Sequence, residues 1–257
     1  MIQVVKLGGA VLENETLRQQ VLADFTKLPS PKVLVHGGGR EADQLAKQLD
    51  IQIEKVEGRR VTNADTLKLV TMVYGGWLNT RIVAELQSLG VDALGLSGVD
   101  GNVVQTNRRP ATPVDFGFVG DLEVEGVNVS RLMNFLENGL TPVLCAITHD
   151  GQGQLLNTNA DSLAAGVAKA LAKDAEVDLS MCFEREGVLT NADDLASWVP
   201  TLTPEEFTEL KDNQIVVAGM IPKLEEGFSA KAAGVKKVWV KSSSNLSNNK
   251  GTELIME

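Results

Sequence analysis

A lysine and two glycines stand where the first apolar segment of the chain ends. The segment reads VVKLGGAVL over residues 4–12, and Lys6, Gly8 and Gly9 precede a helical pattern. Backbone N–H groups at a glycine turn that opens a helix attract anions, and a lysine beside them adds a full positive charge. The stretch is compatible with an anion-binding site. It is equally compatible with a solvated lysine beside a flexible turn.

A second glycine turn follows the next apolar segment. HGGGREA, residues 36–42, places three consecutive glycines between a predicted strand and a predicted helix. Glycine permits close approach of a ligand to the backbone, but the run also suits a mobile turn. Gly37, Gly39 and Ala42 match the dinucleotide fingerprint G-x-G-x-x-A, and Glu57 lies near the acidic position expected ~20 residues on. A nicotinamide enzyme is therefore one hypothesis.

Two adjacent arginines, Arg59 and Arg60, stand in the polar stretch EGRRVTNAD, residues 57–65. A forked guanidinium is the natural clamp for a carboxylate, although two arginines in an acidic protein also suit a solvated loop. Asn63 or Asp65 is expected to cap the helix that follows.

Polar side chains alternate in LLNTNADSLAA, residues 155–165, just before a helix of small residues. Helix capping needs one of the three side chains Asn157, Asn159 and Asp161 but not all of them. Alternate residues of an extended segment face one side. The spacing therefore predicts two amides and one carboxylate at a common site.

A further lysine lies in VVAGMIPKLEEGF, residues 216–228. Pro222 suits the first position of a helix, which puts Lys223 in the first turn, where the helix dipole disfavours a cation. A residue that is locally unfavourable, as Lys223 is here, indicates a functional role, although Glu225 and Glu226 partly compensate its charge. Replacing Lys6 or Lys223 is expected to leave folding nearly unaffected, and a neutral residue at 223 to stabilise slightly.

Strand-like and helical segments alternate along the chain. Apolar strands are predicted at residues 2–7, 32–36, 91–96, 141–147 and 236–240, with amphipathic helices after the first two and a long helix over 67–86. This order predicts an α/β fold with a mainly parallel sheet and helices on both faces. Residues 101–126 read as short antiparallel strands at an edge. A soft division is expected near residue 175.

Composition excludes several classes of protein. The chain has 257 residues, 43% of them hydrophobic, and a net charge of −10, which argues against a nucleic-acid partner. No apolar run approaches the ~20 residues of a membrane span, and the N-terminus lacks signal-peptide features. The two cysteines and two histidines lack disulfide or zinc spacing. A cytoplasmic protein is expected. The phosphate-binding motif G-x-x-x-x-G-K-[ST] is absent.

Taken in order, the stretches resemble the amino acid kinase family. The matching segments are K-L-G-G at 6–9, H-G-G-G at 36–39, G-R-R-V-T at 58–62, N-x-N-A-D at 157–161 and G-M-I-P-K at 219–223. The resemblance implies an open αβα sandwich over one domain, residues 1–257. It also implies ATP-dependent phosphorylation, with Mg²⁺ carried by ATP, of the side-chain carboxylate of N-acetyl-L-glutamate, a step of arginine biosynthesis.

The resemblance also implies roles for individual residues. Two lysines would bracket the transferred phosphoryl group and an aspartate would orient them; a carboxylate acceptor is already ionised at neutral pH, so no base is needed. Gly9 and Gly38 would donate backbone N–H groups to phosphoryl oxygens. Residues 1–175 would hold the acyl amino acid and 176–257 the nucleotide. The catalytic set is Lys6, Lys223 and Asp161; the acceptor-binding set is Gly38, Gly39, Arg60, Asn157 and Asn159; the phosphoryl- and nucleotide-binding set is Gly8, Gly9, Glu184, Gly187 and Gly219.

Some positions depart from the family pattern. Glu184 stands in place of an aspartate, Ala218 in place of an acidic residue, and Trp77 in place of a commonly basic one. These departures keep two alternatives open: the same chemistry on N-succinylglutamate or another family substrate, and a catalytically silent relative that binds a ligand or partner. Because the chain begins almost directly at its first strand, a homodimer is expected rather than an arginine-inhibited hexamer.

Overall fold

The computed structural model of the chain describes residues 1–56, 58–191, 193–216 and 219–257. Its strands and helices alternate as the sequence predicts. The strands are β1 (Ile2–Leu7), β2 (Lys32–His36), β3 (Lys55–Val56), β4 (Arg59–Arg60), β5 (Ala93–Leu96), β6 (Asn107–Arg108), β7 (Val119–Asp121), β8 (Thr141–Cys145), β9 (Ile147–His149), β10 (Leu155–Thr158), β11 (Val177–Phe183), β12 (Thr201–Leu202), β13 (Lys237–Ser242) and β14 (Thr252–Leu254). The α-helices are α1 (Gly9–Glu13), α2 (Glu15–Thr26), α3 (Gly39–Gln48), α4 (Ala64–Thr71), α5 (Asn79–Ser88), α6 (Val129–Glu137), α7 (Ala160–Ala172), α8 (Pro204–Asp212) and α9 (Ile221–Ala232).

An eight-stranded sheet forms the centre of the molecule, in the order β12-β14-β13-β11-β1-β2-β8-β5. The strands from β13 to β5 are all parallel, and β14 pairs antiparallel with β13. Such strands are buried on both faces, which is why their sequences read as continuous apolar runs. The sheet passes without a break across residue 175, since β1 pairs directly with β11.

Each face of the sheet carries its own apolar core, which confirms the predicted αβα layering. On one face Val5 and Leu7 of β1 pack with α2 and α5 through residues such as Phe25 and Leu86. On the other face Ile2 and Val4 pack in the cluster that includes α7 and α9. Alternation along β1 therefore directs Lys6 to the same face as Val4, towards α7.

A second, four-stranded sheet, β6-β7-β10-β9, covers one end of the molecule. It contains the short antiparallel strands expected in residues 101–126, although β7 and β10 pair parallel. A two-stranded hairpin, β3-β4, carries Arg59 and Arg60. None of the described helices is long and apolar enough to cross a membrane.

The long helix expected over residues 67–86 is interrupted. Residues Met72–Leu78 form a π-helix between α4 and α5, with Gly75 and Gly76 at its centre. Asn63 caps α4 by accepting a hydrogen bond from the backbone N–H of Thr66, as one of the two candidates predicted. The apolar side chains of this segment keep a spacing close to 3.6 residues. Their periodicity therefore does not reveal that the backbone turn is wider here.

The parallel strands β1, β2 and β11 end at the same edge of the sheet. Gly8 and Gly9 follow β1, the three glycines at 37–39 follow β2, and Glu184 follows β11. The chain after β1 runs to β2 on one side, and the chain after β11 leads to β13 on the other. The direction of the connections therefore reverses between β1 and β11, and open α/β sheets bind ligands at such a point.

Candidate active site

The carboxylate of Asp161 holds both predicted lysines. Its Oδ1 lies 2.9 Å from Lys6 Nζ and 2.6 Å from Lys223 Nζ. The three groups come from three elements: Lys6 from β1, Asp161 from the first turn of α7 and Lys223 from the first turn of α9. Residues more than 200 positions apart in the sequence are thus joined at one carboxylate oxygen.

The cluster is buried, and its charges perturb one another. Burial raises the pKa of Asp161, but the charges of Lys6 and Lys223 outweigh it and hold the pKa well below its usual range. Burial and the neighbouring Lys6 charge lower the pKa of Lys223 to about 8, against the opposing effect of Asp161. At neutral pH the cluster therefore carries two ammonium groups and one carboxylate, a net positive centre.

Two expectations about these residues are wrong. Lys6 and Lys223 are only 7% and 6% exposed, so they are not solvated side chains whose replacement leaves folding untouched.

The second wrong expectation concerns N-x-N-A-D, whose three polar residues do not alternate along one extended segment. Asn157 lies in β10, Asn159 is the N-cap of α7 and Asp161 is inside the helix. They meet at the same site because the chain turns from strand to helix between them.

The two glycine turns pack closely on their surroundings. A Cβ on Gly8 would lie 3.3 Å from the carbonyl oxygen of Cys182. A Cβ on Gly38 would collide with Leu78 and would lie 2.7 Å from Cδ1 of Tyr74, both in the π-helix. Glycine at 38 is therefore required for the turn to press against the π-helix, whereas Gly9 and Gly39 have room for contact with a ligand.

Arg60 is held from two directions and leaves one nitrogen unpartnered. Its Nη2 donates to the Gly39 carbonyl at 2.9 Å and lies 2.8 Å from Oδ1 of Asp43. The other carboxylate oxygen of Asp43, Oδ2, pairs with Lys55. The buried Nη1 has no hydrogen-bond partner. A buried guanidinium nitrogen without a partner is costly unless a ligand supplies an acceptor.

Sequence reasoning missed Asp43 and Tyr74. Asp43 lies on α3, one turn after the glycine turn, where it reads as an ordinary solvated helical residue. Tyr74 lines the same cavity as Arg60; burial raises the pKa of its hydroxyl and the Arg60 charge opposes the rise. An aromatic residue on an apolar helical face predicts core packing, so nothing in the sequence marked its position beside the arginine.

The two asparagines are already partly engaged. Asn157 donates from Nδ2 to the Thr62 hydroxyl at 3.0 Å. Asn159 Oδ1 accepts from the backbone N–H groups of Asp161 and Ser162, which is the capping role predicted for one of the three residues. Each amide retains hydrogen-bonding capacity for a ligand, because capping uses the oxygen of Asn159 and leaves its Nδ2.

Two cavities meet at the glycine turns. The acceptor cavity, as we name it, has a volume of about 670 Å³ and contains the predicted acceptor residues and two of the three predicted catalytic residues; its walls include Lys6, Gly38, Gly39, Arg60, Asn157, Asn159 and Asp161. The nucleotide cavity has a volume of about 540 Å³; its walls include Gly8, Gly187, Gly219, Lys223, Glu184, Phe183, Leu189, Ile215 and Met220. Gly9 and Gly39 line both.

The two departures that lie within the described residues, Glu184 and Trp77, do not line the acceptor cavity. Glu184 lines the nucleotide cavity, where its Oε1 lies 2.9 Å from Nη2 of Arg40, and both side chains are more than half exposed. Trp77 is 59% exposed on the π-helix, beneath the guanidinium of Arg81. Glu57 and Ala218 lie outside the described residues.

This fold and this site define a protein class. The amino acid kinase family model matches residues 1–242, and the chain belongs to that family. An acetylglutamate kinase of Phocaeicola vulgatus is 49% identical over 251 residues, covering 98% of this chain and 97% of the relative. One of Parabacteroides distasonis is likewise 49% identical over 98% of each chain. The crystal structure of smu.665 from Streptococcus mutans superposes with a TM-score of 0.82 at 28% identity, covering 100% of this chain and 99% of that one.

Proposed function

We propose that the protein transfers the γ-phosphoryl group of ATP to the side-chain carboxylate of N-acetyl-L-glutamate, giving an acyl phosphate and ADP. The observation that carries the proposal is the Lys6–Asp161–Lys223 cluster at the junction of two cavities. Relatives named acetylglutamate kinase, at 49% identity across nearly the whole chain, support the choice of acceptor.

The acceptor cavity suits an acyl amino acid with two carboxylates. We assign the α-carboxylate to the unpartnered Nη1 of Arg60, with Asn157 and Asn159 supplying amide donors. The side-chain carboxylate then points towards Lys6 and the glycine turns. Asp43 and the Gly39 carbonyl hold the guanidinium in place before substrate binds, which lowers the ordering cost of binding.

The nucleotide cavity suits ATP, which arrives as its Mg²⁺ complex. Its apolar walls, among them Phe183, Leu189 and Ile215, offer surface for a base, and Gly8 and Gly9 lead towards the cluster. In this assignment residues 1–175 bind the acceptor and 176–257 contribute most of the nucleotide contacts. Gly187 and Gly219 line this cavity as backbone positions.

The chemical step requires positioning and charge. A carboxylate oxygen of the acceptor attacks the γ-phosphorus; the new O–P bond forms as the bond to the β-phosphate oxygen breaks, and ADP leaves with its electron pair. Negative charge moves from the acceptor to the leaving nucleotide, and Lys6 and Lys223 lie on the two sides of this transfer. Asp161 keeps the ammonium groups a fixed distance apart. The N-termini of α3, α7 and α9, which converge here, add partial positive charge.

An ADP-release assay over a panel of acceptors tests the proposal. N-acetyl-L-glutamate, N-succinyl-L-glutamate, L-glutamate and L-aspartate are compared at saturating MgATP, and hydroxylamine traps any acyl phosphate as a hydroxamate. We expect ADP and hydroxamate in equal amounts, with the highest kcat/KM for the acetyl compound. ADP release that is independent of acceptor, or that yields no hydroxamate, would contradict the proposal.

The acceptor panel, together with a separate titration with NADH, distinguishes the alternatives. A preference for N-succinylglutamate would keep the chemistry and change the acyl group. Neither Trp77 nor Glu184 lines the acceptor cavity, so these two departures offer no support for a larger acyl group. Saturable micromolar binding of NADH would favour the dinucleotide interpretation of residues 37–42, which leaves the Lys6–Asp161–Lys223 cluster without a role.

A homodimer is part of the proposal. Met72 and Trp77 of the π-helix and Val99 beyond β5 are large, exposed apolar side chains, and β5 ends the described sheet. Met72 and Val99 also line a third cavity of about 660 Å³. We expect sedimentation equilibrium to give twice the mass of 27.5 kDa, and Trp77→Glu to shift it towards the single chain.

A further inference from the structure

His36 ends β2, immediately before the glycine turn, and is completely buried. Its two ring nitrogens have different partners. Nδ1 lies 2.8 Å from the carbonyl oxygen of Gly37, and Nε2 lies 3.0 Å from Nδ2 of Asn79. Asn79 is the first residue of α5, directly after the π-helix. The histidine therefore connects the glycine turn to the helix that packs behind it.

These partners determine the tautomer of His36. A carbonyl oxygen can only accept, so the proton lies on Nδ1. The amide of Asn79 also donates from Nδ2 to the carbonyl of Val143 at 2.9 Å, which fixes its orientation and requires Nε2 of His36 to accept. Burial, partly opposed by the hydrogen bond to Gly37, lowers the pKa of His36 to about 4. The ring is therefore neutral at neutral pH.

The hydrogen bond to Gly37 sets the direction of the next backbone donor. The carbonyl of Gly37 and the N–H of Gly38 belong to one planar trans peptide and point in opposite directions. Because His36 holds the oxygen beneath the turn, the N–H of Gly38 is directed away from the ring, on the side where these glycines line the acceptor cavity. The π-helix limits rotation of the turn, since Tyr74 and Leu78 press against Gly38.

The side chain of Asn79 occupies space that any side chain at position 95 would need. A Cβ on Gly95 of β5 would collide with Oδ1 of Asn79, so a side chain there would displace the amide from His36. The arrangement thus extends from β5 through Asn79 and His36 to the Gly37 peptide. None of these contacts touches the acceptor carboxylate site at Arg60.

We infer that His36 is a positioning residue: its Nδ1–H holds the Gly37 carbonyl so that the Gly38 N–H faces the transferred phosphoryl group, and Asn79 selects the tautomer that does so. The inference rests on the proposed phosphoryl transfer. A fixed N–H donor acts on charge that develops in the transition state, so its loss lowers kcat more than it raises KM.

Two amide substitutions separate the two hydrogen bonds. In His36→Asn the amide occupies the place of Nδ1 and can donate to Gly37, whereas in His36→Gln it reaches the place of Nε2 and meets Asn79 instead. Both variants replace a buried ring, so both lower the thermal midpoint. We expect kcat to fall less than about threefold in His36→Asn and about 10- to 100-fold in His36→Gln, with both KM values within about threefold.

Equal kcat values for the two variants, or the reverse order, would overturn the inference. Nitrogen-15 spectra of the wild-type imidazoles give a test that is independent of catalysis and of variant folding. We expect His36 to be protonated on Nδ1. His149, the other histidine of the chain, accepts the Gly151 N–H through Nδ1 at 3.1 Å and provides a reference of opposite tautomer.

A proton on Nε2 of His36 would likewise refute the inference. Failure of the proposed function has a different signature, because the wild-type protein would then form no acyl phosphate with any acceptor of the panel.

Discussion

The acceptor and nucleotide cavities are built from different chemistry. Charged and amide side chains surround the acceptor cavity, and contacts within the protein already fix several of them, as Asp43 fixes Arg60. The nucleotide cavity combines apolar side chains with glycine backbone; apart from Lys223 of the cluster, its charged residues include the Arg40–Glu184 pair, in which both side chains are more than half exposed. Under the proposed assignment, the acceptor is discriminated through a few side chains, and the nucleotide through shape and backbone.

This difference explains which functional residues a sequence can reveal. A buried lysine or arginine departs from the local pattern, as Lys223 does at a helix N-terminus, and so attracts notice. A cavity wall of Phe183, Leu189 and Ile215 follows the pattern of any core and carries no such mark. The comparison predicts large, selective effects for substitutions in the cluster and acceptor cavity, and small effects in the nucleotide cavity.

The largest effect is expected at the cluster between the cavities. Methionine at Lys6 or Lys223 keeps most of the side-chain length and removes the charge, so kcat should fall by about 10²–10³ with smaller changes in KM. Either variant leaves Asp161 paired with the remaining lysine and should fold. Asp161→Asn leaves two buried ammonium groups unpaired and should destabilise by about 3 kcal/mol. Turnover and chemical denaturation measure these changes, with the exposed Lys47→Met as control. Normal turnover in either lysine variant would remove that lysine from the mechanism.

A smaller but more selective effect is expected at Arg60. Alanine there removes the partner of the acceptor carboxylate, a charge-assisted hydrogen bond worth about 1.5–3 kcal/mol, so the acceptor KM should rise about 10- to 100-fold. The KM for ATP should change little. The exposed Arg131→Ala, which lines neither cavity, is the control, with a change in acceptor KM below about threefold. Equal effects of Arg60→Ala on both substrates would contradict the division between the cavities.

The pH dependence should reveal Lys223. Because its pKa is lowered to about 8, it loses its positive charge as the pH rises through that value. We expect kcat/KM for ATP to fall above pH 8, approaching tenfold per pH unit, and the acceptor carboxylate to add no change near neutrality. Lys223→Arg keeps its charge throughout, so its lower activity should show no alkaline decline. A decline that persists in this variant would belong to another group.

In the nucleotide cavity, Ile215→Ala should have a moderate effect. Each carbon is worth about 0.8 kcal/mol when fully buried, and Ile215 is only half-buried, so the loss of three carbons should cost about 1 kcal/mol and raise the KM for ATP about threefold to tenfold. The acceptor KM should not change, and Leu49→Ala on the exposed surface is the control. A loss of kcat as large as that of the lysine variants would show that this wall also positions the reacting groups.

The smallest effect is expected at Glu184. Its pair with Arg40 is exposed, and such pairs contribute about 0–1 kcal/mol, so Glu184→Gln should change stability by less than about 1 kcal/mol. The KM for ATP should change less than about threefold. Calorimetric titration measures the affinity of the variant for ATP directly. An affinity ten times weaker than that of the wild type would assign Glu184 a direct role with the nucleotide.

The fold was predictable from the sequence because buried parallel strands are continuous apolar runs. The strand at residues 2–7 and the helices around it follow from that pattern alone. The π-helix at Met72–Leu78 did not follow from it, since its apolar residues keep a helical spacing. The burial of Lys6 and Lys223 was also missed, because local helix-dipole reasoning assumes an exposed charge, whereas tertiary contact with Asp161 decides it.

Chemistry-bearing residues were predicted in part. Lys6, Arg60 and Lys223 were singled out because cations suit anionic ligands, and Asn157 and Asp161 because polar side chains recur at short spacing before a helix; the structure brings all of them to the two cavities. Asp43 and His36 were not, although they hold Arg60 and the Gly37 peptide. Residues that act through another residue leave no pattern in the sequence, because their partners are distant along the chain.

The π-helix also has a consequence for deletions in this part of the chain. A wide turn forms where a helix holds one residue more than regular α-helical winding needs, so removing one residue from Met72–Leu78 would convert it to a normal turn and leave α4 and α5 in their present phase. Ile82 and Leu86 would then keep their places in the core, but Tyr74 and Leu78 would no longer both press against Gly38. The helices on either side therefore tolerate a shorter segment, whereas the glycine turn does not. Homologous helices shortened by one residue here would need a different means of holding the glycine turn.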